Sequence, residues 1–390
     1  MAPLASAYIV AARRSAMGRV GGLHRSRRIE DLASPVVTAA LADAGIDANR
    51  VEEIVIGNTT QGGNPARIIA LAAGLPDATS AITIDRQCAS GLDAIVAACR
   101  SVAAGEASVA VAGGAEAIST APWRVAKPKS LFHLPHFIGL EPMADLPAEE
   151  AQAFEADERL ARRLGIGRTA QDAFALSSHQ KAEAARQARR FVGEIVPIRS
   201  SPDEARDQGA GTPDTLDDLD DLPPFHQPDG TVTPGNTSAL DDGAAIVVIV
   251  SSAVWEELGR PPALRLTAVA SQGVPSAEAA LAPMAAVEKL YGRAEGFNAK
   301  DIAAVELGET SAAQAIAFAQ HLGLDPELIN PDGGEVARGH PLGAAGAVLV
   351  VRLFTRMVRA RSAGAPPARI GVAALGAIGG MGVSALFEAV

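Results

Sequence analysis

An internal repeat runs through this chain. The strand-like run ending Ile56-Gly57 has a counterpart ending Leu307-Gly308, an offset of 251. Cys88-Ala89-Ser90-Gly91 falls opposite His340-Pro341-Leu342-Gly343, since 340−88 and 343−91 are both 252. Beyond a helix-length stretch in each copy, Val109-Ala110-Val111-Ala112-Gly113 answers Ile370-Gly371-Val372-Ala373-Ala374. Two such copies imply two similar units related by a pseudo-twofold axis. Within each copy, short β-rich runs alternate with helical patterns, the signature of parallel βαβ units. The pattern predicts strands at 7–11, 53–57, 81–84, 108–114, 243–250, 302–308 and 369–376, and helices over 91–104 and 344–360. In each copy one reactive side chain, Cys88 or His340, stands where a strand-to-helix loop enters its helix. A twofold through that point brings the pair together.

Residues 120–240 break the rhythm. Pro122, Pro128, Pro135, Pro142 and Pro147 precede a helical stretch over 169–190, an acidic loop at 214–221 and the turn Pro228-Asp229-Gly230. This reads as an inserted loop domain or lid. The two halves are then 1–119 with 241–262, and 263–390.

Composition removes several classes of function. With 48% hydrophobic and 20% charged residues the chain reads as globular and soluble. A net charge of −11 argues against nucleic acid or an anionic membrane as partner. No apolar run reaches the roughly 18 residues a membrane span needs. The apolar stretch from Pro3 to Ala12 is followed, not preceded, by Arg13 and Arg14, opposite to a signal peptide. The two cysteines, Cys88 and Cys99, make neither a disulfide framework nor a zinc site, and a reducing cytoplasm is the simplest location. His24, His133, His136, His179, His226 and His321 show no metal-ligand spacing, so no metal is expected. Gly62-Gly63 and Gly113-Gly114 are not phosphate-cradling loops, so no nicotinamide or ATP is expected.

Cys88 lies between a strand and a helix, and unpaired backbone N–H groups at a helix start favour a thiolate. Ser90 and Gly91 allow a tight turn beside the sulfur. Most lone cysteines are core packing, and Cys99, 11 residues further along the same helix and roughly 16 Å away, fits that description. Trp123-Arg124-Val125-Ala126-Lys127-Pro128-Lys129 is a local basic stretch suited either to phosphates or to solvent, and Arg186, Arg189 and Arg190 read as an exposed helix face.

Four stretches resemble thiolases. Asp85-Arg86-Gln87-Cys88-Ala89-Ser90-Gly91-Leu92-Asp93-Ala94 is similar to their nucleophile motif. Gly334-Glu335-Val336-Ala337-Arg338-Gly339-His340-Pro341-Leu342-Gly343-Ala344 is similar to their histidine motif. The segment 230–244 resembles the part that closes their loop domain and touches the pantetheine of coenzyme A. Gly379-Gly380-Met381-Gly382 matches their glycine-rich C-terminal motif. The likeness spans 6–390 and implies a five-layered α/β/α/β/α fold, with homodimers or homotetramers. It also implies that Cys88 takes up an acyl group from a coenzyme A thioester while His340 polarises the thiol and later hydrogen-bonds the thioester oxygen. The backbone N–H groups of Cys88 and Ile378 would then form the oxyanion hole, and Ser238 and Ala239 would contact substrate. Coenzyme A enters as substrate, with no tightly bound cofactor.

Three positions depart from the family pattern. Gly376 stands where thiolases carry a second cysteine that moves protons at the α-carbon. Gly308 replaces the asparagine that holds a water in the oxyanion hole, while the neighbouring Glu309 survives as a structural residue or a stand-in base. The lid histidine has no match, its position falling near Gln152. The leading expectation is acyltransfer of the acetyl-CoA acetyltransferase type, by Claisen condensation or thiolysis of a 3-ketoacyl-CoA. One alternative is a diverged acyltransferase or thioesterase serving another acceptor or water. The other is a non-catalytic acyl-CoA-binding or scaffold subunit.

Overall fold

The computed structural model describes residues 6–128, 130, 132–137, 154–199, 201–209, 215–226, 229–294, 299–360 and 369–390. The first half contains β1 (Ala7–Arg14), α1 (Ile29–Ala44), β2 (Glu53–Gly57), α2 (Pro65–Ala72), β3 (Ser80–Ile84), α3 (Ser90–Ala104) and β4 (Val109–Glu116). The loop segment contributes α4 (Glu155–Leu164) and α5 (Arg168–Gln187). β5 (Asp241–Ser251) returns to the first half. The second half holds β6 (Leu264–Gly273), α6 (Ala282–Tyr291), β7 (Ile302–Gly308), α7 (Ala312–Leu322), α8 (Ala345–Phe354), β8 (Ile370–Ala377) and β9 (Met381–Ala389).

The repeat expected from the sequence appears in the sheet. In the first half the strand order is β3-β2-β4-β5-β1; in the second it is β7-β8-β9-β6. β2 pairs in parallel with β4, which pairs antiparallel with β5, and β5 pairs antiparallel with β1. β7, β8, β9 and β6 repeat those three relations in the same sequence. Even the register agrees: Gly57 lies beside Gly114, and Gly308 beside Leu375. At the place of β3 the second half has, among the described residues, only an isolated bridge from Val305 to Ile329. The two arrays join edge to edge, β1 to β6, through Tyr8–Arg265 and Ile9–Leu264.

Alternate side chains along each strand point to opposite faces, so a strand covered on both sides reads as a continuous apolar run. β5 does so: Ala245, Val247 and Ile249 face inward with α3 and α8, while Ile246, Val248 and Val250 face outward to α1 and α2. On the second array Leu375, Val383 and Phe387 share the central core with α3 and α8, and Val305, Leu307 and Val372 pack against α6 and α7. The result is helix, sheet, helix pair, sheet, helix: five layers with α3 and α8 in the middle.

Those central helices touch backbone to backbone. A Cβ added to Gly91 would lie 2.8 Å from the Gly343 carbonyl oxygen and 2.9 Å from the Ala347 nitrogen; one added to Gly346 would lie 2.7 Å from Leu92. Only hydrogen at these positions permits the approach. Because α3 and α8 begin just after Cys88 and His340, this close crossing sets the distance between the two. The helix expected over 344–360 is regular to Phe354 and then widens into a π-helical turn at Thr355–Arg359. The stretch expected over 169–190 ends at Gln187, so Arg189 and Arg190 lie past it, and Arg190 pairs with Asp332 at 2.5 Å, so the exposed helix face expected of Arg186, Arg189 and Arg190 does not form as one face.

Candidate active site

Between β3 and α3 the chain turns sharply. Gln87 takes a left-handed φ of 51°, rare for a side-chain-bearing residue. Three hydrogen bonds hold the turn. The Asp85 carboxylate accepts the Gln87 N–H at 2.9 Å, and Ser90 Oγ accepts the Arg86 N–H at 2.7 Å while donating to the Gln87 carbonyl at 2.5 Å. Cys88 is thereby set two residues before α3 begins at Ser90, largely buried.

His340 follows the short helix Glu335–Arg338 and Gly339, whose φ is 97°. Its N–H donates to the Ala239 carbonyl at 2.8 Å, and its carbonyl accepts from Asp241 N–H at 3.0 Å. The same segment is fixed on its other side by Ser238, whose N–H donates to the Thr310 carbonyl at 3.1 Å. Clamped in this way, the imidazole reaches across to the first half: Nε2 lies 3.1 Å from Cys88 Sγ. Its other nitrogen, Nδ1, lies 2.8 Å from Glu335 Oε2. Burial opposes charge on this ring, but Glu335, the Cys88 sulfur and their hydrogen bonds outweigh it and hold the His340 pKa well above that of an ordinary histidine.

The other residues singled out by sequence fall as follows. Glu309 is fully buried; its Oε1 accepts from Asn330 Nδ2 at 2.5 Å and its Oε2 from the Val336 N–H at 3.1 Å. Both oxygens are thus occupied in tying the end of β7 to the histidine loop, and burial raises the pKa to about 7. Gly376 sits in β8 opposite Gly382. A Cβ there would meet Pro283 Cδ at 3.3 Å, Gln314 Nε2 at 3.7 Å and the Ala279 oxygen at 3.9 Å, none of them a proton acceptor of useful basicity. Ile378 lies in the turn between β8 and β9, next to Gly379 and Gly380 with φ of 94° and 72°. Ser238 is half-buried and Ala239 exposed. Cys99 packs inside α3, where burial pushes its thiol up to about 12. Arg124 donates to the Thr59 carbonyl at 2.5 Å, whereas Lys129 and Gln152 are outside the described residues. Among the described residues no cluster of His, Cys, Asp and Glu could hold a metal ion.

Sequence reasoning passed over two carboxylates. Glu335 stood inside the quoted histidine motif, five residues before His340. Glu116, at the end of β4, accepts from the backbone N–H groups of Thr59, Thr60 and Gly343, linking the loop after β2 to the start of α8. Burial raises its pKa to about 7 despite those donors. A charged residue closing an otherwise apolar strand was the available signal.

Models of the thiolase N-terminal and C-terminal domains match residues 7–253 and 260–389. The chain belongs to the thiolase family. An acetyl-CoA acetyltransferase of Cupriavidus necator is 37% identical, with 97% of this chain and 98% of that protein covered. One from Pseudomonas aeruginosa is 35% identical over 96% and 97%. The crystal structure of the Bacillus anthracis acetyl-CoA acetyltransferase superposes with a TM-score of 0.90 at 32% identity, and that of human mitochondrial 3-ketoacyl-CoA thiolase with 0.87 at 30%, each covering both chains fully. This thiolase therefore has the thiolase fold and is an acyltransferase enzyme. Among its described residues no helix is long and apolar enough to cross a membrane.

Proposed function

We propose that this thiolase takes an acyl group from a coenzyme A thioester onto Cys88 and passes it on, in the manner of an acetyl-CoA acetyltransferase. The 3.1 Å approach of His340 Nε2 to Cys88 Sγ carries this reading. The Cys88 thiolate attacks the thioester carbonyl, a carbon–sulfur bond to Cys88 forms, the bond to the coenzyme A sulfur breaks, and the departing thiolate takes a proton from Nε2. The backbone N–H groups of Cys88 and Ile378 receive the oxyanion, since Gly379 and Gly380 let that turn come close. Ser238 and Ala239 flank the pantetheine arm from the segment bonded to His340. Glu309 serves as a structural tie. The thioester is substrate, and no tightly bound cofactor is required.

A second reading draws on Gly376. Carbon–carbon bond formation needs a base for the α-carbon proton, and Pro283, Gln314 and Ala279 supply none. Transfer to water or another O–H, N–H or S–H acceptor needs only His340. Intact-mass spectrometry after mixing with acetyl-CoA tests the shared first step: an acetyl adduct is expected on the wild type and not on Cys88→Ala. No adduct, or an equal one on the variant, ends the proposal. Loss of acetoacetyl-CoA that depends on added coenzyme A supports thiolysis, and loss without it supports hydrolysis.

The halves, 1–119 with 241–262 and 263–390, act with the 120–240 segment as lid. A homodimer or homotetramer is proposed, supported by β3, an edge strand with a half-exposed Ile82. Light scattering that returns a monomer would refute it. Two unpaired cysteines suit the cytoplasm.

A further inference from the structure

We propose that Glu335 is a positioning residue for His340, holding the proton on Nδ1 and so keeping Nε2 directed at the Cys88 sulfur, in space that Gly308 leaves open. The inference rests on Cys88 being the acylated residue. Its geometry is direct. Glu335 is buried, with Oε2 2.8 Å from Nδ1, and an ionised carboxylate there can only accept, which assigns the hydrogen to the imidazole. Its other oxygen, Oε1, has no partner among the described residues, so the imidazole is the contact that orients the group.

Gly308 explains how a carboxylate fits. A Cβ at 308 would already be in van der Waals contact with Glu335 Oε2, at 3.6 Å, and would press on Leu375 Cβ at 2.6 Å. An asparagine-sized side chain and the Glu335 carboxylate therefore compete for the same room. The glycine at 308 thus leaves the room that the Glu335 carboxylate occupies. Its chemical consequence concerns the second half of the reaction. After coenzyme A has taken the Nε2 proton, the ring is neutral with its hydrogen fixed on Nδ1, and the Nε2 lone pair faces the acyl-enzyme. The incoming nucleophile gives its proton to Nε2, its bond to the acyl carbon forms, the bond to Cys88 breaks, and Nε2 returns the proton to the sulfur. Glu335 stabilises the imidazolium in both transfers without itself accepting a proton.

The test is the pH dependence of Cys88 alkylation by iodoacetamide, read by intact mass, in wild type, Glu335→Gln and Glu335→Asp. Alkylation needs no acetyl-CoA, so it stands even if acylation by that substrate fails. Glu335→Gln keeps size and packing and loses charge. Its half-maximal alkylation is expected at higher pH than the wild type, and its acylation is expected to slow by about 10²-fold or more, in the range for loss of an acid–base partner. Glu335→Asp should recover part of both. A Glu335→Gln profile that superimposes on the wild type, with unchanged melting temperature, overturns the proposal. Should that variant not fold, the wild type decides. A low-field N–H proton resonance absent from His340→Asn is expected, and its absence from the wild type overturns the assignment.

Discussion

Position 376 is where the chemistry of this thiolase is most open to change by one residue. The nearest atom to a Cβ there is 3.3 Å away, so a small side chain needs a shift of only a few tenths of an ångström. Gly376→Cys is expected to fold and to raise coenzyme A-dependent cleavage of acetoacetyl-CoA by about tenfold or more, part of what a placed acid–base group contributes. An unchanged rate in the folded variant would show that the thiol is not what limits carbon–carbon chemistry. At this scale the sequence was informative where function imposes a local motif. Cys88 and His340 stood out because their neighbours shape tight turns. Glu335 did not, since a spacing of five fits neither helix nor strand period, and only the left-handed step at Gly339 folds the imidazole back onto it.

Among elements, the crossing of α3 and α8 governs the site. Gly346→Ala places a methyl 2.7 Å from Leu92 and is expected to cost about 1–3 kcal/mol, the usual range for overpacking. Thermal melting should show the loss, and acylation of Cys88 should slow as the helix starts move apart. A variant of lower stability with wild-type acylation would separate packing from alignment. Most strands were legible as short apolar runs, but β6 and β9 were not among those expected. α4 was not expected from the sequence, although Ala156, Leu160 and Leu164 recur at helical spacing along Glu155–Leu164. Leu160 and Ala161 join the apolar core of the second array, and buried carboxylates anchor the same helix: Asp157 accepts from Ser311 Oγ at 2.6 Å, and Glu158 from the N–H groups of Thr231 and Val232 at 2.8 and 2.9 Å. Those polar anchors leave no mark in the periodicity.

Across the whole molecule, buried charge ties the loop segment to both halves. Glu194 bonds Arg14 of β1 and Arg352 of α8, and Arg352 also bonds Asp332. Burial works against the Glu194 carboxylate, yet the two guanidinium groups hold its pKa down at about 2, so its contribution is present above the ordinary 4.5 and is lost as pH falls towards 2. Asp241 behaves oppositely. Neither of its oxygens has a hydrogen-bond partner among the described residues, and burial, followed by the nearby Asp207, raises its pKa to about 8. A raised carboxylate is at its most stabilising below the ordinary 3.8, and that contribution drains away as pH rises to about 8. Melting temperature should therefore fall between pH 5 and 8, and Asp241→Asn should gain on the wild type steadily over that interval. Parallel curves for the two proteins would rule out a protonated Asp241. The Glu194 pairings were not readable beforehand, because contacts across 180 and 158 residues leave no local pattern.

The order of the two reacting groups along the chain has a consequence for synthesis. The sulfur at 88 is synthesised 252 residues before the imidazole at 340. A product stalled or clipped between the two carries the thiol without the ring that would activate it. Full reactivity towards a thioester thus waits for the second of the two domains.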